Sequence, residues 1–217
     1  MGVLNDLDIV RGSNTLAGGI FEDLFPSFMD ISYDTPNEYI TTYWDAYLAI
    51  RDERLDNDQQ KRGVNGKIFE YIIATLLIRE EIFPIYMNAK VAFVPNINYD
   101  LLIYSTDKGP ICLSAKTSFR ERYKQADLES IALKYVHRRS QCYLITLSHD
   151  DATMVNVKQK AGDVIGLDQA VCATHNDFNL LIAKLKELNL VVAPTIDVIE
   201  TNQIVTEDKV RQVFANE

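Results

Sequence analysis

Two apolar runs joined by a short polar turn constrain the fold of this chain more than any other feature. Residues 99–104 read YDLLIY, residues 110–116 read PICLSAK, and the segment STDKG separates them. Strand-like runs with such a connection predict an antiparallel β-hairpin. Any fold proposed for the chain must therefore contain this hairpin.

Helical and strand patterns alternate around the hairpin. Apolar residues recur at helical spacing in residues 64–82, and Pro36 suits the first turn of a further helix. The predicted helices are 36–54, 64–82, 121–137 and 176–189, the other predicted strands are 90–95 and 141–147, and a weaker helix–strand passage covers 151–172. The order predicts an α/β fold in which a mixed sheet is flanked by helices.

The size and apolar content of the chain fit one globular domain. It has 217 residues, of which 47% are hydrophobic, and a domain usually has roughly 100–200 residues. We expect no membrane span, because no apolar run is long enough, and no secretory leader, so a cytoplasmic location is predicted. The three cysteines form no C-x-x-C pair, which predicts buried free thiols rather than a zinc site; they are Cys112, Cys142 and Cys172.

The charge of the chain is uneven. The net charge is -9, and residues 1–60 contain 12 acidic and 3 basic residues. By contrast, residues 115–140 contain seven basic and three acidic residues, a local charge of +4. An acidic protein disfavours nucleic acid as a partner, but the local field near a site decides whether phosphate binds there. A solvated helix face is the simpler interpretation of the basic segment.

Three polar side chains fall at one end of the predicted hairpin. Side chains alternate along a strand, so Ser114 and Lys116 share a face. If the turn centres on 107–108, Asp100 lies opposite 114–116. The pair Asp100 and Lys116 could be an ordinary cross-strand ion pair. It also supplies parts that phosphodiester hydrolysis needs, because carboxylates hold Mg²⁺ and a lysine orients the attacking water.

An acid interrupts the apolar helix predicted at 64–82. Glu70 has the small residues Gly66 and Ala74 one turn away on either side. A buried acid costs free energy unless it has a partner or a function. Glu70 is therefore either an acid at the edge of the apolar stripe or a functional carboxylate.

Asp100 and the segment Ser114-Ala115-Lys116, with thirteen residues between them, resemble the PD-(D/E)xK nuclease motif. Tyr99 replaces the usual proline and Ser114 replaces the usual second acid. The same replacement occurs in the type II restriction endonucleases of the CCGG and EcoRII-like branch, where the acid moves to the following helix. Glu129, which follows Lys116 with twelve residues between them, resembles that relocated acid, and Glu70 resembles the further glutamate of the branch.

A second element of that branch, R-(D/E)-R, follows the lysine. Arg120, Glu121 and Arg122 match it. In the branch this element reads adjacent G·C pairs, and the chemistry is suitable because arginine bonds guanine O6 and N7 while glutamate accepts from cytosine N4. A helix start with surface charges is the alternative interpretation of these three residues.

The resemblance implies a restriction-endonuclease-like core and a role for each matching residue. It implies Asp100, Glu129 and Glu70 as carboxylates for Mg²⁺, with Mn²⁺ as a substitute, Lys116 as the group that assists the water, and Ser114 as the residue in the vacated acid position. Implied partners are double-stranded DNA with a palindromic CC/GG site, a second copy of the chain, and a cognate DNA methyltransferase. Weaker candidates for contact with the DNA backbone are Lys124, Lys134, Arg138 and Arg139.

The expected organisation is one nuclease domain, 1–217. It comprises a helical N-terminal region at 1–62, for dimerisation or DNA contact, a catalytic core at 63–190 and a C-terminal extension at 191–217. Other functions remain open at this stage. They are a repair nuclease or junction resolvase on the same fold, an inactive DNA-binding or protein-interaction module, and an α/β domain whose hairpin merely carries an ion pair.

Overall fold

A computed structural model describes residues 2–11, 15–94, 96–118 and 122–195. Seven helices and five strands are assigned within these ranges. The helices are α1 (Val3–Asp6), α2 (Leu16–Leu24), α3 (Pro36–Arg54), α4 (Asp58–Arg79), α5 (Arg122–Val136), α6 (His149–Ala161) and α7 (Asn176–Lys186). The strands are β1 (Tyr86–Ala89), β2 (Tyr99–Ser105), β3 (Gly109–Lys116), β4 (Gln141–Thr146) and β5 (Gln169–Cys172).

The five strands form one mixed sheet in the order β1-β2-β3-β4-β5. The β1–β2 and β2–β3 pairs are antiparallel, whereas β3–β4 and β4–β5 are parallel. The predicted hairpin is confirmed, and Leu101 lies opposite Leu113 in its register. The predicted α/β architecture, a mixed sheet with helices on its faces and a helical N-terminal part, is also confirmed.

Alternate residues of the central strands enter two separate cores. Leu101, Ile103 and Leu113 pack on one face with the buried sides of α2, α3, α4 and α7. On the opposite face, Leu102 and Cys112 pack with α5 and α6. Because the hairpin is buried on both faces, its two strands are almost continuously apolar, as expected for an interior strand pair. A polar group at the end of such a strand is therefore conspicuous.

Helix α4 begins earlier than its apolar pattern predicts. Asn57 caps the helix by accepting a hydrogen bond from the backbone N–H of Gln60 at 2.9 Å. Such an N-cap satisfies a backbone donor that would otherwise lack a partner. The helix consequently starts at Asp58 rather than at residue 64, and the expected region boundary at 62/63 lies inside it.

The predicted strand at 90–95 is wrong. The strand that pairs with β2 is β1, Tyr86–Ala89, with Tyr86 opposite Leu102. Residues 90–94 lie outside any strand, and Phe93 is 55% exposed with a positive φ of 64°. A short apolar run has strand propensity, but pairing with a distant partner decides which residues form the ladder.

The C-terminal half confirms several weaker predictions. The passage at 151–172 contains α6 and β5, and α6 ends at Gly162, whose φ of 85° is left-handed. Beyond α7, Leu190 forms a bridge with Ser105, so the chain continues the sheet where β1 has ended. All three cysteines are free and buried, as predicted. Among the described helices, none is both long and apolar enough to cross a membrane.

Candidate active site

The candidate site is built on the end of the hairpin furthest from its turn. Asp100 is the second residue of β2 and Lys116 is the last residue of β3. Lys116 Nζ lies 2.6 Å from Asp100 Oδ2, the Ser114 hydroxyl donates to the same oxygen at 3.2 Å, and the Ala115 backbone N–H donates at 3.0 Å. Three donors from β3 thus hold one carboxylate oxygen of β2.

The site combines partial exposure with a buried surrounding. The side chains of Lys116 and Asp100 are 20% and 16% exposed, and Ser114 is buried. Lys116 pairs in register with Thr146 of β4, so the carboxyl ends of the parallel strands β3 and β4 meet at this edge. Loops that leave such an edge are where functional side chains commonly occur in open sheets. A ligand from solvent can therefore reach Asp100 and Lys116.

Helix α4 brings a second acid and a second lysine to the site. Glu70 is buried, its side chain being 8% exposed, and its Oε2 accepts a hydrogen bond from Lys67 Nζ at 2.7 Å. Lys67 lies one turn earlier on the same helix and its side chain is 42% exposed. Glu70 is therefore not a solvated acid at the edge of the stripe.

The two ion pairs influence each other electrostatically. Burial raises the pKa of the Glu70 carboxyl, and the charge of Asp100 raises it further, whereas Lys67 and Lys116 lower it. Burial lowers the pKa of the Lys67 ammonium, but its hydrogen bond to Glu70 and the charges of Glu70 and Asp100 outweigh this and raise it overall. The charges of the Lys67–Glu70 pair and of the Asp100–Lys116 pair therefore act on each other.

Glu129 lies on α5, beside the start of β2. Tyr99, adjacent to Asp100, donates its hydroxyl to the backbone carbonyl of Glu129 at 3.0 Å. The Glu129 carboxylate itself accepts a hydrogen bond from Gln125 one turn earlier, at 2.7 Å. Within the described residues, no group of three histidine, cysteine or acidic side chains is placed to hold a metal ion. The structure thus places the Glu129 carboxylate on Gln125, and it does not bring Asp100, Glu129 and Glu70 together as a metal-binding group within the described ranges.

The predicted base-reading element is only partly described. Arg120 and Glu121 lie outside the described residues, while Arg122 is the exposed first residue of α5. Because α5 follows β3 after a short connection, Arg122 begins a helix near the edge that carries Lys116.

The predicted backbone-contact residues occupy different parts of the surface. Lys134 pairs with Asp168 at 2.7 Å and so ties α5 to the segment before β5. Arg138 and Arg139 follow the end of α5 and line an open cleft with Lys108 of the hairpin turn. This cleft is at the opposite end of the hairpin, about 23 Å from Lys116 at 3.3 Å per strand residue. Lys124 is exposed on the first turns of α5.

Two charged residues with clear structural partners were missed in the sequence. Lys67 could have been found from its spacing of three to Glu70, which places both on one helix face. Asp127 is buried and accepts hydrogen bonds from the backbone N–H groups of Gly166 at 2.7 Å and Leu167 at 3.1 Å. The glycine-containing segment 162–166 therefore binds a carboxylate of this chain, a contact that no local pattern shows.

Comparisons with known proteins agree with this arrangement at the level of the fold. No protein-family model and no curated protein matches the chain. The solved complex of the restriction endonuclease PspGI with substrate DNA is similar, with a TM-score of 0.58, 16% identity, and coverage of 80% of this chain and 82% of that chain. Metal-depleted Ecl18kI in complex with uncleaved, modified DNA is also similar, with a TM-score of 0.50, 15% identity, and coverage of 96% and 88%. The chain therefore has a restriction-endonuclease fold.

Proposed function

We propose that this chain is a sequence-specific endonuclease that hydrolyses phosphodiester bonds of double-stranded DNA with Mg²⁺. One observation carries the proposal: Asp100, Ser114 and Lys116 converge at the open end of the central hairpin in a restriction-endonuclease fold. An isolated cross-strand ion pair would need neither the second acid on α4 nor its electrostatic coupling to Asp100. Both solved neighbours are complexes with DNA, which supports DNA as the substrate class.

The residues present suit Mg²⁺ chemically. Carboxylate oxygens are its preferred protein ligands, and one or two carboxylates with water and substrate phosphate usually complete its shell. Asp100 and Glu129 are the proposed direct ligands, and Glu70 is the outer or second-site carboxylate. An ion held there would polarise the phosphate and lower the pKa of a bound water molecule; Mn²⁺ is the expected substitute.

The protein groups have distinct proposed roles. Lys116 orients the attacking water and offsets phosphate charge, while its bond to Asp100 keeps both groups in place before substrate arrives. Ser114 occupies the position of the usual second acid and holds Asp100 by a hydrogen bond. Arg120, Glu121 and Arg122 are proposed to read the CC/GG blocks in the major groove. The arginines would bond guanine O6 and N7, and the glutamate would accept a hydrogen bond from the cytosine N4 amine.

Cleavage of a palindromic site in both strands requires two active sites. A homodimer with two-fold symmetry is the simplest arrangement that supplies them, and residues 1–62 are the proposed source of its interface or of further DNA contacts. A cell that contains such an enzyme must protect its own sites, so a cognate DNA methyltransferase is the further proposed partner.

The test is incubation of the purified protein with unmethylated plasmid DNA, with Mg²⁺ in one sample and EDTA in another. Discrete fragments are expected in the sample with Mg²⁺ and not in the sample with EDTA. Sequencing the fragment ends gives the recognition site and the overhang. A smear of fragments would instead identify a nonspecific or repair nuclease. Intact DNA in both samples, with a folded protein, would overturn the enzymatic proposal in favour of a binding module.

A further inference from the structure

A cleft of about 220 Å³ opens beside the edge of the sheet that carries Asp100 and Lys116. It lies between the N-terminal segment, helix α4 and strand β1, and its lining includes Asp8, Arg11, Thr15, Lys67 and Asn88. The lining includes two cations, Arg11 and Lys67, and one acid, Asp8; with Glu70, the partner of Lys67, the formal charges balance, in a chain of net charge -9. Because Glu70 is buried while Lys67 is partly exposed, the two cations face the open cleft, and such a position favours an anion more than the rest of an acidic surface does.

Lys67 connects this cleft to the candidate active site. Its ammonium donates to Glu70 at 2.7 Å, and its side chain remains 42% exposed. An ammonium has three donors, so one bond to Glu70 leaves capacity for a second anion. A residue serving only to neutralise Glu70 would not need to line an open cleft.

We propose that this cleft is a phosphate-binding subsite in which Lys67 and Arg11 hold the backbone of the DNA strand next to the reacting phosphate. The inference rests on the proposed function, because it assigns a second contact with the same substrate. Lys67 bridges Glu70 and the phosphate, so the position of the DNA strand is coupled directly to an acid of the site. The contact is independent of base sequence, since it involves the backbone alone.

The experiment measures binding of a short fluorescent DNA duplex, in EDTA, between about 50 and 200 mM salt. Loss of one phosphate contact reduces the slope of log affinity against log salt by about 0.9. Lys67→Ala is expected to show this reduction and about tenfold weaker binding at low salt, and Lys67→Arg to retain the wild-type slope. The matched control is Lys61→Ala, because Lys61 lies on the same helix and pairs with Asp52 at 2.8 Å away from the cleft.

A second comparison covers the possibility that Lys67→Ala unfolds around the unpaired Glu70. This comparison uses a single variant, Glu70→Gln, and a double variant that also carries Lys67→Gln. The two proteins differ only at Lys67, so the slope of log affinity against log salt is again expected to differ by about 0.9. Equal slopes in both comparisons would make Lys67 an internal partner of Glu70 and overturn the subsite while leaving the nuclease proposal intact. A wild-type protein that binds no duplex would overturn both proposals together.

Discussion

The Ser114 hydroxyl donates a hydrogen bond to Asp100 across the hairpin, over a distance of 3.2 Å. The same carboxylate oxygen accepts from Lys116 at 2.6 Å. A serine therefore stands where the general nuclease motif has its second acid, and it supports the first acid without adding a negative charge. If the chain is a nuclease, another carboxylate must supply the missing charge, which makes the identity of that carboxylate the central question about the site.

Lys116→Ala is expected to reduce Mg²⁺-dependent cleavage by about 10²–10³-fold, because a preorganised charged group near the reacting phosphate has effects of this size. DNA binding should persist, since the fold and the proposed base-reading residues are untouched. Plasmid cleavage and duplex binding measured on the same preparation check both statements. Lys61→Ala, which removes the ion pair between α4 and Asp52 of α3, should cleave as the wild type does. Full cutting by Lys116→Ala would remove this lysine from the mechanism.

Glu129→Ala is expected to abolish cleavage, because Glu129 is the proposed relocated ligand. Ser114→Ala should cost much less, since it removes one hydrogen bond to a carboxylate that keeps two other donors. The two variants are compared in cleavage assays across a range of Mg²⁺ concentrations. An active Glu129→Ala protein together with an inactive Ser114→Ala protein would contradict the relocation of the acid.

Arg120→Ala is expected to cost about 1–3 kcal/mol of discrimination against a substituted base pair, as for a bidentate contact with guanine. The measurement compares duplexes that carry the mapped site with duplexes altered at single positions. Arg122→Ala provides the parallel test within the described residues. A uniform loss of affinity on all duplexes would identify either arginine as a phosphate contact.

Glu70→Gln is expected to stabilise the metal-free protein more at about pH 8 than at about pH 4. Burial and the charge of Asp100 raise the pKa of Glu70 in the folded state. The folded state therefore holds this proton more tightly than the unfolded chain. Protonated Glu70 therefore stabilises the wild-type fold fully below its pKa in the unfolded chain, and this stabilisation is lost as the pH rises through its pKa in the folded protein. Glutamine does not titrate, so the variant gains stability relative to wild type at high pH.

Urea unfolding of wild type and variant at both pH values measures this effect. Glu53→Gln, an exposed acid on α3, is the control for a change of net charge. A pH-independent difference between wild type and Glu70→Gln would mean that Lys67 fully compensates the burial of the acid.

Gly166→Ala is expected to lower the free energy of unfolding by about 2–3 kcal/mol. A Cβ atom at this position would lie 2.3 Å from the backbone oxygen of Asp127. The clash would also disturb the hydrogen bond between Gly166 N–H and the Asp127 carboxylate. Gly63→Ala is the matched control, because its Cβ would meet no atom within 4 Å and should stabilise α4 by about 0.5–1 kcal/mol. Denaturant unfolding of the two variants checks the contrast.

The sequence by itself determined the hairpin and the meeting of Asp100 with Lys116. Strand alternation and the position of the turn are local properties, so they fix which residues of two adjacent strands face one another. The same reasoning correctly predicted α3, α7 and β4. Whether Glu129, Arg120 and Glu121 have the roles implied by the resemblance remains a prediction.

Only the tertiary structure decided which distant groups join that hairpin. The packing of α4 against the sheet brings Lys67 and Glu70 to the edge that carries Asp100, although about thirty residues separate them along the chain. It also replaced the predicted strand at 90–95 with Tyr86–Ala89. Local sequence patterns determine the strand or helix propensity of a segment and the face on which each side chain lies. Long-range pairing and burial then select which of several segments of similar propensity forms the strand. The packing of α4 therefore determined that Glu70 lies near Asp100.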